Sequence, residues 1–417
     1  MFYYKLDNRI LFSNIKYDNL EEISESSAME SKDIIYFLKK MQPLKSRRSF
    51  CISDPSLLFI EEEGLNLLKK NELSGYTLPK WILDKISHRR VACINTEYRN
   101  WRDLLKYSLP LKPSKWRVNV LGLGDVGGIL VTGLRLLGGD YISQIGIYDR
   151  GDNKKRRWVL EANQILSAFD ERLYPNIKGI DLEELFDCDM FVFCASVGVP
   201  PVGENVKDVR MIQLQGNSKV LANYGKMARK TGFKGIFAVV SDPVDLLCKS
   251  VFISSNTNEN GEMDYEGLAP EQIRGYGLGV MHARAAYYAA LNTETAHYIK
   301  EGRAYGPHGD GLIIADSIEN YNPDISMYLT RKAREANLDV RETGFKPYIA
   351  PALSSGSLSL ISTIKGDWHY STTYMGGVFM GAKNRLLATG TEIERLTLPK
   401  ALLGRLEETY KKLESII

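Results

Sequence analysis

The chemistry-bearing pattern that stands out first is a run of glycines, Gly122-Leu-Gly124-Asp125-Val126-Gly127, followed by an acid, Asp149, at the end of the apolar stretch Ile145-Gly-Ile-Tyr. This spacing fits the phosphates and one ribose of a dinucleotide. The first glycine permits a tight turn, the second lets the backbone approach a pyrophosphate, and the third lets helix and strand pack closely. A helix opening at this point presents unpaired N–H groups and a partial positive charge to the phosphates. Asp149 is placed to accept hydrogen bonds from the adenosine ribose, and a carboxylate there repels a 2′-phosphate, so NAD is the expected cofactor. Arg150 and the run Lys154-Lys-Arg-Arg157 follow at once and could accommodate a phosphate instead. Arg150 is therefore counted among the cofactor-binding candidates.

Such a site needs a strand before the glycines and a second strand before the acid, and the sequence supplies both. Val118–Leu121, Ile145–Tyr148, Phe191–Cys194 and 235–241 are short apolar runs separated by helix-like stretches such as Lys219–Lys230. Apolar strands alternating with helices indicate a parallel sheet covered on both faces. Two prolines in 109–114 mark a boundary upstream. The expected organisation is a mixed α/β extension over 1–114, a Rossmann domain over 115–254 and an α+β substrate domain over 255–417, closed by a charged helix from Lys400. Within the extension, Phe2–Phe12 reads as strand, Glu21–Met41 as helix and Leu57–Ile60 as a short strand. The basic residues Lys45, Arg47 and Arg48, and His88–Arg90, read as solvated surface.

The 417 residues suffice for two or three domains, and 44% hydrophobic with 25% charged residues is an ordinary globular balance. A formal charge of +3 gives no nucleic-acid footprint. Five scattered cysteines (51, 93, 188, 194, 248) form no CxxC pair and read as free thiols in a reducing compartment. The N-terminus has no signal-peptide layout, and no window approaches the ~18 apolar residues of a membrane span. A soluble, cytoplasmic protein is expected, with no membrane partner.

Further segments follow in order. Val239-Val-Ser-Asp242-Pro-Val-Asp245 resembles the V-S/T-N-P-V-D segment of the lactate and malate dehydrogenases. Gly275-Tyr-Gly-Leu-Gly-Val-Met281-His-Ala-Arg284 resembles their G-x-G-T-x-L-D-x-A-R, and Gly306-Pro-His308-Gly-Asp310 their G-E-H-G-D. Val192-Phe-Cys-Ala195-Ser196 and the loop Val197–Arg210 fall where that family has its third strand and its mobile substrate loop. The resemblance spans about residues 116–417, and the first 115 residues match nothing in it. It implies a Rossmann fold with a substrate domain beside it, a homo-oligomer, and hydride transfer between NAD and a small 2-hydroxy or 2-oxo acid. It also implies roles. His308 moves the hydroxyl proton, a task suited to imidazole. Arg284 grips the substrate carboxylate with two parallel hydrogen bonds. Arg210, seven residues before Asn217 as in the family, polarises the carbonyl. Ala195 and Ser196 border the cofactor.

Two departures carry weight. The family's asparagine at the substrate oxygen is Asp242 here, and its histidine-orienting aspartate is Met281. An unpaired buried carboxylate beside an oxyanion is costly. Asp242 is therefore expected either to accept from the histidine or to bind a cationic substrate group. The segment Gly198-Val-Pro-Pro-Val-Gly203 carries no arginine for a second substrate carboxylate, which argues against malate. Lys346 falls roughly at the far end of the implied substrate pocket. His282 reads as structural, and His88, His297 and His369 have no accompanying ligands, so no metal is expected. The alternative is a catalytically impaired NAD(H)-binding sensor or assembly protein, which Met281 and Asp242 would favour.

Overall fold

The computed structural model describes residues 1–70, 77–106, 114–169, 173–197 and 209–416, without the side chains of 106 and 209–213. The N-terminal part builds a six-stranded sheet from β1 (Phe2–Leu6), β2 (Arg9–Ser13), β3 (Glu21–Ile23), β4 (Ile35–Lys39), β5 (Ser49–Cys51) and β6 (Val91–Asn95), in the order β3-β1-β2-β4-β6-β5. The helix expected over Glu21–Met41 is instead β3, a short helix Glu25–Met29 and β4. Ser24 caps that helix, and Ile35-Tyr-Phe-Leu, β-branched and aromatic, is wholly buried in the sheet. The strand expected at Leu57–Ile60 is a 3₁₀ turn, Pro55–Leu58, opened by the side chain of Asp54.

The dinucleotide-type sheet follows. Strands β7 (Trp116–Leu121), β8 (Ile142–Tyr148), β9 (Asn176–Gly179), β10 (Met190–Phe193), β11 (Ile236–Val239) and β12 (Ile273–Gly275) are all parallel, in the order β9-β8-β7-β10-β11-β12. This is the doubly wound order, whose reversal between β7 and β10 opens a crevice at the carboxyl ends of the strands. All four residues of β10 and of β11 are buried, as strands covered on both faces must be. The sheet continues through β15 (His369–Met375), β16 (Val378–Leu387) and β17 (Gly390–Ile393), joined antiparallel to β12. A two-stranded ribbon, β13 (Arg303–Tyr305) with β14 (Ile313–Ala315), lies outside it.

The N-terminal sheet is packed onto this second unit. Phe37, Phe50, Val91 and Cys93 share one buried core with Met380, Ile393 and, from the C-terminal helix Lys400–Ile416, Leu402, Leu406 and Leu413. Leu68 and Lys70 exchange backbone hydrogen bonds with Leu396. Of the basic residues read as solvated surface, His88 and Arg90 are exposed, whereas Lys45, Arg48 and Arg89 pair across this junction and Arg47 is buried within the N-terminal unit. Arg47 is buried against Glu63 at 3.2 Å, Arg48 bonds Glu271 at 3.2 Å, and Arg89 bonds Glu392 at 3.0 Å. The physical reason is that an arginine paired with a carboxylate can be buried where a lone cation cannot.

Among the described residues, no helix is long and apolar enough to cross a membrane.

Candidate active site

Gly122 leaves β7 with φ +97°, and a Cβ on it would fall 2.8 Å from the Ala195 nitrogen at the end of β10. Only glycine satisfies both conditions, and the turn brings the two strand ends together. Gly124 then caps the helix Asp125–Leu137, and a Cβ there would meet no atom within 4 Å. The space in front of the helix N-terminus is thus open on the side where a pyrophosphate would approach. At the third glycine a Cβ would lie 1.8 Å from the Gly122 carbonyl oxygen, so turn and helix are in direct contact. Asp125 and Ser196 are exposed while Val126 and Ala195 are half-buried, forming the rim of this opening. These residues fit a dinucleotide: an open helix end, a close-approach turn and an acid on the neighbouring strand.

That acid, Asp149, accepts from Leu123 N–H at 3.0 Å, from Lys154 Nζ at 3.0 Å and from Gly151 N–H at 3.3 Å. Burial opposes its ionisation, but the Leu123 N–H and the Lys154 ammonium outweigh this and hold its pKa below the usual value. Arg150 beside it is exposed. Lys346, expected at the far end of the substrate pocket, lies instead 3.6 Å from the carboxylate of Asp125.

The second half of the site is built around His308. Its Nδ1 lies 2.7 Å from Asp242 Oδ1, and its backbone N–H donates to Asp245 Oδ2 at 3.0 Å. The other oxygen of Asp245 accepts from the Thr372 hydroxyl at 2.6 Å. Asp242 follows β11 and Asp245 lies in the first turn of the helix Val244–Asn256, so one short segment grips both the ring and the backbone of His308. A Cβ on Gly277 would sit 2.8 Å from His308 Cβ, which makes glycine the residue that lets the histidine seat. Burial pushes the Asp245 carboxyl up to about 6, against the lowering effect of the Thr372 and His308 hydrogen bonds.

Gly277 also caps the helix Leu278–Ala290, which carries Arg284. Arg284 is half-buried, with long contacts from Nη1 to Met281 Sδ at 3.6 Å and to the Ala333 carbonyl at 3.5 Å. Burial lowers its pKa, and the charge of Asp242 works the other way. Asp242 therefore stands within electrostatic reach of both cationic candidates. Met281 is 1% exposed in an apolar cluster with Leu278, Ala285 and Leu329.

Asn217 ties the two halves together. Its Oδ1 accepts from Val197 N–H at 2.7 Å, and its Nδ2 donates to the Asp242 carbonyl at 2.8 Å. Ser241 Oγ adds a bond to the Ala195 carbonyl at 2.7 Å. Arg210 lies in the first turn of the helix Val209–Lys230; its side chain, and the loop 198–208 before it, lie outside the described residues. Asp310 forms an ion pair with Lys412. Asp245, Gly277 and Thr372 were not singled out from sequence, although Asp245 stands three residues after Asp242 in a segment already in view.

The remaining histidines have structural partners. His282 bonds Tyr298 Oη at 2.8 Å and stacks on Tyr370, and burial takes its pKa down to about 4. His369 is held by Thr363 and Ser371, and His297 by Asp316. Among the described residues, no cluster of His, Cys, Asp or Glu could hold a metal ion.

No family model matches the chain. It is 26% identical over 247 residues to L-lactate dehydrogenase 2 of Listeria innocua, covering 57% of this chain and 72% of that protein. Among solved structures, a lactate dehydrogenase from a Medee basin deep-sea metagenome superposes with a TM-score of 0.59 at 19% identity, over 73% of this chain and 98% of that one. The lactate dehydrogenase of Cryptosporidium parvum, solved with lactic acid and nicotinamide adenine dinucleotide, gives 0.58 at 16% identity, over 73% and 97%. The chain carries the fold of the lactate and malate dehydrogenases and resembles a lactate dehydrogenase in sequence at low identity. The malate dehydrogenase of Archaeoglobus fulgidus, solved with NADH, has the same fold at a TM-score of 0.57 and 16% identity, over 72% and 97%. These lactate and malate dehydrogenases are matched over nearly their whole length, whereas about a quarter of this chain lies outside the likeness.

Proposed function

We propose that the protein is an NAD-dependent oxidoreductase that interconverts a small 2-oxo acid and its 2-hydroxy acid. The observation that carries this reading is the His308–Asp242 contact at 2.7 Å, beside a half-buried arginine and across from an open dinucleotide crevice. Bound NAD(H) supplies or accepts the hydride. The protein's residues do the rest. Arg284 binds the substrate carboxylate through a planar, two-pronged contact and fixes the reacting carbon. His308, with Nδ1 turned to Asp242, presents Nε2 to the substrate oxygen and gives or takes its proton. The Asp242 carboxylate fixes that orientation and sets a negative charge beside the imidazolium that exists before reduction and after oxidation. Arg210 polarises the carbonyl oxygen.

In this reading Asp242 takes the part toward the histidine that the resemblance gives to the aspartate replaced here by Met281. The lactate and malate dehydrogenases named above act on small hydroxy acids, and the resemblance carries a homo-oligomer with it as well. The test is NADH oxidation by the purified chain across 2-oxo acids differing in side-chain size and charge. Turnover is expected with at least one member and is expected to fall by about 10²–10⁴-fold in His308→Asn. Turnover unaffected by His308→Asn would remove the histidine from the reaction.

A further inference from the structure

We infer that the adenosine end of the crevice accepts the 2′-phosphorylated dinucleotide as well as the unphosphorylated one, with Lys154 as the residue that decides this. The inference rests on the dinucleotide reading above and concerns which dinucleotide the site takes. A carboxylate at the end of the second strand excludes a 2′-phosphate by two means, its negative charge and its demand for ribose hydroxyl donors. Both are blunted here. Lys154 Nζ stands 3.0 Å from Asp149 Oδ2, the same oxygen that accepts the Leu123 N–H. With Gly151 N–H on Oδ1, three of about four acceptor positions of the carboxylate already have protein donors. The second acid of this stretch, Asp152, is matched in the same way by Lys155 at 3.1 Å.

What remains is cationic. Residues 149–157 hold five cations (Arg150, Lys154, Lys155, Arg156, Arg157) against two acids, and Arg150, Lys154 and Arg156 are exposed. A 2′-phosphate adds about 1.5 to 2 negative charges at neutral pH and three acceptor oxygens. Lys154 sits on a surface helix turn at 43% side-chain exposure, and its ammonium, with three donors, can bridge the carboxylate and that phosphate at the ribose edge. Arg150, on the residue next to the acid, supplies a second, planar partner. A lysine that both neutralises the excluding acid and offers itself to the phosphate gives tolerance of both forms.

The experiment is a fluorescence titration of the full chain with NADH and NADPH, repeated in Lys154→Glu and Lys154→Met, with 2′,5′-ADP against 5′-AMP as competing fragments. The wild type is expected to bind both dinucleotides with dissociation constants within about tenfold of each other. Lys154→Glu is expected to raise the ratio of the NADPH to the NADH constant by about tenfold or more, Lys154→Met to raise it less, and the fragments to follow the same order. Tight NADH binding with NADPH more than about a hundredfold weaker would overturn the inference and leave the dinucleotide reading standing. A ratio unmoved by Lys154→Glu would overturn the role of Lys154. Failure to bind either dinucleotide would overturn both readings.

Discussion

At the residue scale, the site centres on a histidine held from two directions by one segment. Asp242 takes its ring and Asp245 its backbone, with Gly277 leaving room for both. An amide at position 242 could still accept from the ring but would carry no charge to match an imidazolium. Asp242→Asn is therefore expected to lower the rate of 2-oxo acid reduction by about 10- to 100-fold while NADH affinity is retained. A rate unchanged by the substitution would show that the carboxylate has no part in the proton transfer. Sequence left two roles open to Asp242, partner of the histidine or binder of a cationic substrate group, because spacing along the chain does not say which way a side chain turns. The geometry has the first. Arg210 and the loop before it belong to the part of the site that sequence alone describes.

At the element scale, the helix Val244–Asn256 brings a fully buried carboxylate to its first turn. Asp245 has a folded-state pKa of about 6 against an ordinary 3.8, so the folded protein holds a proton there that the unfolded chain has already lost. The unfolded state binds fewer protons between those values, and stability contributed by this group falls as pH rises from about 4 to about 6. The full penalty above that window, from the difference between about 6 and 3.8, is about 3 kcal/mol. Thermal unfolding of Asp245→Asn and wild type, compared at pH 4.5 and pH 7.5, is expected to show the variant gaining relative stability at the higher pH. A constant difference would mean the carboxylate is not strained by burial.

The strands of the parallel sheet were legible wherever they were short apolar runs, as in β7, β8, β10 and β11. Strand β9, Asn-Ile-Lys-Gly, has one buried residue, and β12 is three residues long with a buried Arg274 in the middle, so neither carries a periodic signal. Strands β15–β17 bury serines, threonines and glycines, which hydropathy does not mark as core. Arg274 is tolerated there because Thr391 and Asn384 accept from its guanidinium.

At the scale of the whole molecule, the N-terminal residues are not an appendage. Their sheet and the C-terminal helix complete one core, and Arg48–Glu271, Arg89–Glu392 and Arg395–Asp54 stitch the junction at 3.2, 3.0 and 2.9 Å. Nothing in the local sequence of either partner announces this, because the contacts are hundreds of residues apart. A chain with a protease site inserted at 107–113 is expected to stay associated after cleavage and to melt in a single transition, as gel filtration and calorimetry would record. Two separate transitions would contradict a shared core. Removal of residues 1–114 is expected to leave an insoluble remainder, since Met380, Ile393 and Leu402 would lose their cover.

The most direct test of the central claim is transfer of deuterium from C4-labelled NADH to C2 of a 2-hydroxy acid, followed by mass spectrometry across the 2-oxo acid panel. Label is expected in the product of the wild-type protein and is expected to be lost in His308→Asn with NADH binding retained. Bound NADH with no labelled product from any member of the panel would contradict it, and would leave a dinucleotide sensor as the reading of the site.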